Sequence, residues 1–308
     1  METSLINKNS HIHSIIQALL VTFLWSTSFI IIKWGLDELP PITFAGIRYL
    51  LAFLFFLPIV LKSKYINEIK QLNLKQWNKL ILLGLIFYTF TQGAQFLGLS
   101  LLPSVTVSLM LNFTPLVVAI MGVLFLREKP TFLQWTGSSL FILGIIIYFF
   151  PVVLAGNQYL GIVVMLFGVL ANASAAIIGR DINRKRDVSP VIITFISMGI
   201  GAVILMIIGL GMDGMPSISF KTWIYLFWLA GINTAFAFTL WNITLRTLTA
   251  IESSIINGTM LIQIAILAWF FLSEMITTKE GIGMIIAAIG AVLVQIKRKE
   301  TIIKVNTN

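Results

Sequence analysis

Long blocks of apolar residues, separated by short polar connections, dominate this sequence. Most blocks run for about 17 to 23 residues, which at a helical rise of 1.5 Å per residue is enough to cross roughly 30 Å of hydrocarbon. Of the 308 residues, 58% are hydrophobic and 11% are charged, whereas soluble domains carry about 25% charged residues. So few charges cannot cover a water-soluble surface. We therefore expect a lipid bilayer to surround most of the chain.

The apolar blocks form two sets of five. The predicted spans are 13–33, 42–61, 78–98, 104–126 and 132–150, followed by 158–179, 190–211, 222–243, 251–272 and 280–296. The connections are too short for a soluble domain. The first block is kept as a span because it is longer than a signal-peptide core and lacks a small-residue cleavage pattern. The sequence thus predicts an all-α membrane protein with ten transmembrane helices.

Lysine and arginine are distributed unequally between the two sides of these spans. One side carries 17 of the 21 and the other carries three, while Arg48 lies inside a span. Because basic loops stay in the cytoplasm, we predict a multi-pass protein of the cytoplasmic membrane with both termini cytoplasmic. The same rule explains the net charge of +9, so no nucleic-acid partner is expected. Trp241 is among the tryptophans near predicted span ends, where headgroup contact is expected.

An internal repeat is visible when the chain is shifted by 146 residues. The matched pairs are Lys75 with Lys221, Trp77 with Trp223, Glu128 with Glu274, Gly137 with Gly283, and Gly144 with Gly290. The alternative is a chance match. Since each half has five spans, an odd number, equivalent helices would cross the membrane in opposite directions. We therefore predict two inverted five-helix repeats, 12–150 and 151–297, and a short basic tail, 298–308.

Polar residues within the apolar blocks are candidates for a binding site, because an unpartnered polar group is costly in hydrocarbon. Tyr88, Gln92 and Gln95 recur at helical spacing in the third span. Ser108 and Asn112 do so in the fourth. Each stripe is predicted either to line a cavity or to hydrogen-bond between helices. No cysteine is present, and no metal ligand set or cofactor motif is recognised.

Four further positions carry two alternative interpretations each. Pro115 leaves the carbonyl of Leu111 without its helical donor, which produces either a structural kink or a free acceptor for substrate. Trp25 either packs in the core or stacks on a substrate. Ser253 and Asn257 form a shorter polar stripe on the ninth span, for packing or for lining.

Charged residues are nearly absent from the predicted spans. Arg48 is expected either to reach the outer headgroups, pairing with Asp37 or Glu38, or to attract an anionic group of a substrate. Glu252, near the start of the ninth span, is the acidic residue closest to the membrane interior. Without a deep carboxylate, we expect transport that follows a gradient or is coupled through the charge of the substrate.

Two stretches, 18–53 and 113–147, resemble the EamA-type family of the drug/metabolite transporter superfamily. The resemblance includes the Trp25–Ser26 pair, Arg48–Tyr49, Pro115 in the fourth span, and Glu128 followed by two glycines. It makes Ser26 a further candidate for the cavity lining. The second half repeats the Glu and Gly elements at 267–294. In the second half Leu261 occupies the place equivalent to Pro115. ANASA at 171–175 lacks the tryptophan found in WSTSF at 25–29. The resemblance implies ten helices around a central cavity and export of small metabolites, amino acids or drugs.

The function predicted from the sequence is that of a secondary transporter rather than an enzyme. It would move a small-molecule substrate out of the cell by alternating access, with the bilayer as its other partner. No recognised hydrolase, protease or nucleotide-binding motif is present. The alternatives are an intramembrane enzyme and a receptor or scaffold that does not transport. The sequence leaves substrate identity and oligomeric state open.

Overall fold

The computed structural model describes residues 2–114, 116–118, 120–121, 131–150, 156–185, 187–244, 247–248 and 256–295. Within these ranges the chain is helical and contains no β-strand. The α-helices are α1 (Glu2–Gly35), α2 (Pro41–Val60), α3 (Ser63–Lys70), α4 (Leu74–Leu83), α5 (Gln92–Leu101), α6 (Ser104–Leu111), α7 (Phe132–Phe149), α8 (Gln158–Lys185), α9 (Pro190–Asp213), α10 (Phe220–Ala230), α11 (Ala237–Thr244), α12 (Met260–Leu272) and α13 (Thr278–Gln295). Two π-helical segments join α4 to α5 and α10 to α11: Gly84–Thr91 and Gly231–Phe236.

Six helices among the described residues are long and apolar enough to cross a membrane. They are His11–Gly35, Pro41–Val60, Leu74–Leu101, Gln158–Gly179, Pro190–Asp213 and Phe220–Trp241. Large apolar side chains cover their outer surfaces, as expected for contact with lipid; Ile207, for example, is 66% exposed. These helices establish a helical membrane protein, while the count of ten spans stays a prediction.

Some boundaries differ from the prediction. The connection after the second span contains the two-turn helix α3, which was expected to be a loop. Helices α1 and α8 extend beyond the predicted spans at their polar ends. Two other helices begin within one residue of the predicted start, because Pro41 and Pro190 occupy the first helical turn, where a missing N–H costs nothing.

Local structure repeats between the two halves. Helices α7 and α13 begin and end 146 residues apart, and the π-helical segments begin at Gly84 and Gly231. In each π-helical segment a threonine hydroxyl donates to the carbonyl five residues earlier: Thr91 to Ile86 at 3.0 Å and Thr234 to Leu229 at 2.8 Å. Ile86 lies within the first π-helical segment, and Leu229 lies in α10 just before the second.

Helices α7 and α13 pack against each other along their lengths. A methyl group added to Gly144 would overlap the backbone of Gly283 and Ala287 on the opposite helix. A methyl group added to Gly290 would overlap the backbone of Gly137 and Phe141. Small residues thus allow the two backbones to touch, which is how helices associate closely in lipid.

Three glutamates connect the ends of different helices. Glu274 accepts hydrogen bonds from the first backbone N–H groups of α6, at Ser104 (2.9 Å) and Val105 (3.3 Å). Glu68 accepts from the backbone N–H of Ser189, which precedes α9. Glu38 accepts from the backbone N–H of Ser219, which precedes α10. A carboxylate at a helix N-terminus satisfies unpaired donors and complements the helix dipole.

Candidate substrate-binding cavity

A cavity of about 600 Å³ lies among helices of both halves of the chain. Ligand pockets for small molecules typically measure about 300–1,000 Å³. Most of the described residues around it come from α1, α2, α5, α6, α8, α11 and α12, together with the first π-helical segment, and the others lie just after α6 or just before α12. They are Trp25, Ser28, Phe29, Arg48, Tyr49, Phe87, Thr91, Gln92, Gln95, Ser108, Leu111, Asn112, Thr114, Asn172, Ala176, Phe238, Trp241, Asn257, Gly258, Met260 and Ile264.

Arg48 is the one charged residue among the described residues that line the cavity. Its side chain is 3% exposed. Its Nε donates to Thr234 Oγ1 at 3.1 Å, and its Nη2 lies 3.5 Å from Ser28 Oγ. The alternative in which Arg48 reaches outward and pairs with Asp37 or Glu38 is wrong, because its buried side chain contacts Thr234 and Ser28. The Glu38 carboxylate binds Ser219 and Thr222. Arg48 therefore lies inside the bundle rather than at the headgroups.

The polar partners of Arg48 are themselves held in place. Asn233 is fully buried, and its amide nitrogen donates to Ser28 Oγ at 2.9 Å and to Thr27 Oγ1 at 3.0 Å. Thr234 is fixed by the hydrogen bond from its hydroxyl to the carbonyl of Leu229 in α10. The guanidinium is thus positioned by α1 and by the π-helical segment of the second half.

Three aromatic rings form one wall of the cavity. The ring of Trp25 lies 5.2 Å from Phe238 and 5.2 Å from Trp241, measured between centroids and with tilted planes. The indole nitrogen of Trp25 is buried and has no hydrogen-bond partner among the described residues. Trp241 lies at the end of the membrane-length helix Phe220–Trp241, and its ring packs against Trp25.

Amide side chains supply much of the remaining polarity. The hydroxyl of Tyr49 donates to Gln92 Oε1 at 2.6 Å. Asn112 donates to the carbonyl of Ser108 on its own helix at 2.9 Å. Asn172 donates to Thr114 Oγ1 at 3.1 Å. No Asp or Glu lies among the described lining residues, and the described part of the chain contains no cluster of potential metal ligands.

The structure brings most described candidates from the sequence to this cavity. Those that line it are Trp25, Arg48, Gln92, Gln95, Ser108, Asn112 and Asn257. Pro115, Glu252 and Ser253 lie outside the described residues. Whether the lining residues bind substrate stays a prediction.

Two candidates are not among the lining residues. Ser26 is buried and bonds to the carbonyl of Thr22 and to Gln263 Oε1, because it lies about 100° around the helix from Trp25. Tyr88 packs edge-on against the Tyr49 ring at 5.5 Å. Tyr88 and Gln92 both contact Tyr49, but Tyr88 is buried against Gly201 of α9 and does not line the cavity.

Sequence reasoning missed several lining residues. Tyr49 was quoted only beside Arg48, and Phe238 carried no signal because one aromatic residue in an apolar span resembles any other. Asn172 did carry a signal. Residues 171–175 align with 25–29 in the repeat, so Asn172 matches Ser26. It was set aside as a departure from WSTSF.

Comparison with known proteins agrees with a helical membrane fold. A sequence model of the EamA-like transporter family matches residues 13–150 and again 159–296. The chain therefore belongs to the EamA-like transporter family, a family of membrane transporters rather than enzymes, within the drug/metabolite transporter superfamily.

Individual relatives share limited identity with the chain. An uncharacterized transporter of Archaeoglobus fulgidus is 27% identical over 189 residues, which cover 61% of this chain and 64% of that protein. An S-adenosylmethionine/S-adenosylhomocysteine transporter of Chlamydia trachomatis is 28% identical over 126 residues, or 41% of this chain and 38% of that protein. One crystal structure matches 92% of this chain and 97% of its own with a TM-score of 0.66 at 14% identity. That last likeness concerns the fold alone.

Proposed function

We propose that this protein is a secondary transporter that moves small metabolites, amino acids or drugs out of the cell by alternating access. The observation that carries the proposal is the cavity, whose volume suits a small molecule and whose lining comes from helices of both halves. A site between two similar halves can open first to one side of the membrane and then to the other.

The architecture proposed for this mechanism is ten transmembrane helices in two inverted repeats, 12–150 and 151–297, with a short basic tail at 298–308. The matched π-helical segments and the paired helices α7 and α13 support it. So do the helix-end contacts, because Glu38 and Ser219 belong to one predicted side of the membrane and Glu68 and Ser189 to the other.

The proposed location is the cytoplasmic membrane, with both termini in the cytoplasm. The excess of lysine and arginine in alternate loops supports this orientation. The direction of transport rests on the likeness to exporters of the family. It can be tested separately from the existence of transport.

A metabolite screen followed by reconstitution tests the proposal. Cells that overproduce the protein should release one or more small molecules in excess over cells that produce Asn112→Leu to the same level. A molecule found in this way should then cross proteoliposomes that contain the wild-type protein. A receptor or scaffold would leave the medium unchanged, and this result would contradict the proposal.

A further inference from the structure

The charge inside the cavity is unbalanced. Arg48 is almost fully buried, and its two described polar partners are the hydroxyls of Thr234 and Ser28 rather than carboxylates. A guanidinium in a low-dielectric interior is costly unless an opposite charge accompanies it. Among the described lining residues no carboxylate supplies that charge. The cavity is therefore suited to a ligand that brings one.

The cavity lining also contains hydrogen-bond donors suited to an anion. A guanidinium has five N–H donors, and the described contacts of Arg48 use two of its nitrogens. Gln92 receives the Tyr49 hydroxyl on its amide oxygen, so its amide nitrogen is left to donate. Donors of this kind match the two oxygens of a carboxylate, and the pairing with Arg can be bidentate.

The aromatic rings lie about one turn along α1 from the residue that contacts Arg48. Ser28, which contacts Arg48, follows Trp25 by three residues on α1, and three residues correspond to about 4.5 Å along a helix on nearly the same face. Trp25 is in turn grouped with Phe238 and Trp241. The rings of Trp25 and Trp241 can pack against a planar ligand.

We propose that the substrate class is a small organic anion in which a carboxylate is joined by a short linker to a planar aromatic or heteroaromatic ring. The carboxylate binds Arg48 and Gln92, and the ring packs against Trp25 and Trp241. This inference rests on the proposed transport function and names the chemistry of its substrate. A cation is disfavoured because it would meet the buried guanidinium with no described carboxylate nearby.

Single cysteines can measure the charge preference without knowledge of the natural substrate, because the chain contains no cysteine. Gln95→Cys places a thiol in the cavity, and Asn157→Cys places one at an exposed position outside it. Each variant is labelled with anionic sulfonatoethyl and cationic trimethylammonioethyl methanethiosulfonate, and the rates are normalised to those of free 2-mercaptoethanol.

At position 95 the normalised rate should favour the anionic reagent by about tenfold or more, the factor expected of one charge-assisted contact. Arg48→Gln should remove this preference, Arg48→Lys should keep it, and neither should alter the ratio at position 157. A preference for the cationic reagent, or a ratio at position 95 that Arg48→Gln leaves unchanged, would overturn the assignment. Failure of both reagents to reach position 95 would instead contradict an accessible transport cavity.

The ring-and-carboxylate chemistry is tested in the Gln95→Cys protein, where Arg48 is intact. Indole-3-acetate, indole-3-acetamide and tryptamine have similar shapes and differ in charge. We expect indole-3-acetate to slow labelling by uncharged N-ethylmaleimide at a concentration about tenfold lower than the amide requires. Equal or better protection by the amide or by tryptamine would overturn the proposal that the substrate is an anion. Protection by none of the three compounds would overturn the proposal that the substrate is an aromatic anion.

Flux in proteoliposomes separates the two proposals. If indole-3-acetate protects the cavity but does not cross the membrane, the anion site stands and the transport function fails. If tryptamine crosses while indole-3-acetate neither protects nor crosses, transport stands and the anion assignment is wrong.

Discussion

Gly144 and Gly290, which are 146 residues apart in the sequence, occupy matching positions on the two sides of one helix pair. Gly144 on α7 lies against the backbone of Gly283 and Ala287, and Gly290 on α13 lies against the backbone of Gly137 and Phe141. Gly283 and Ala287 are the repeat equivalents of Gly137 and Phe141. The two glycines therefore make equivalent contacts, each with the opposite helix. Such reciprocity is the property of a local two-fold relationship.

Gly144→Ala should destabilise the protein. The added methyl group meets backbone atoms of α13, which cannot move aside without separating the helices, and such overpacking costs about 1–3 kcal/mol. The matched control is Gly281→Ala, where nothing lies near the added methyl group and where a small stabilisation of about 0.4–1 kcal/mol is expected. Thermal unfolding in detergent measures both. Equal melting temperatures for the two variants would contradict this packing.

Glu38 should make stability depend on pH in the acid range. Hydrogen bonds from the hydroxyls of Thr222 and Ser219 and from the backbone of Ser219 lower the pKa of this carboxyl group below its ordinary value of 4.5. A group with a lowered pKa contributes stability above the unfolded pKa and loses it as pH falls through the folded pKa. The contribution should therefore be complete at neutral pH and disappear below 4.5.

The measurement is the difference in melting temperature between wild type and Glu38→Gln across pH. The difference should be largest at neutral pH and shrink below pH 4.5. Asp37→Asn is the control for a neighbouring exposed carboxylate. A difference that is constant across pH would show that the charge of Glu38 is not involved.

The polar candidates should separate into those that serve transport and those that hold helices together. Asn112 bonds within its own helix, so Asn112→Leu should change stability by about 0.6 kcal/mol or less while reducing flux about tenfold. Gln92→Leu should also reduce flux while the protein remains monodisperse. Normal flux in both variants would remove them from the site.

Gln263 provides the contrast for these variants. It bonds to Thr22, Ser26 and Thr259, so Gln263→Leu should lower stability by about 1–2 kcal/mol. Loss of folding in Asn112→Leu, with full stability in Gln263→Leu, would reverse the two assignments.

Apolar block length and period made the helical membrane class predictable, and the alternation of charge supported a repeat. Which polar residues share one face was harder to predict, because the π-helical segments interrupt the α-helical period. No side-chain pattern in GLIFYTFT announces a π-helix, and the sequence does not show that Tyr88 packs against Gly201 of α9. Trp241 does lie at a span end, but nearness to a span end indicates depth and does not indicate which way the ring faces.

Topology can be tested with introduced cysteines, since none must first be removed. Lys64→Cys lies in an exposed, predicted cytoplasmic connection, and Asp37→Cys lies in an exposed connection on the opposite predicted side. An impermeant thiol reagent added to intact cells should label position 37 and leave position 64 unlabelled until the cells are opened. Labelling of position 64 from outside would defeat the proposed orientation.

The charges in the cavity lead to a prediction about energy coupling. A proton-coupled transporter usually needs a membrane-embedded group that binds and releases protons, and carboxylates are the common choice. The described lining residues include none, and Arg48 cannot serve as a proton carrier because an arginine guanidinium does not deprotonate in proteins. Glu252 lies outside the described residues. We therefore expect flux down a substrate gradient to persist in proteoliposomes without a pH gradient.

If the substrate is an anion, the membrane potential should act on its movement directly. One charge that crosses the membrane gains or loses about 2.3 kcal/mol per 100 mV, so a positive potential on the receiving side should increase accumulation there and a negative one should reduce it. Valinomycin with opposed potassium gradients sets either sign while both pH values are equal, and a neutral analogue is the control. Uphill accumulation of a neutral, non-titrating substrate driven by a pH gradient, and abolished by Glu252→Gln, would show that Glu252 carries the coupling proton instead.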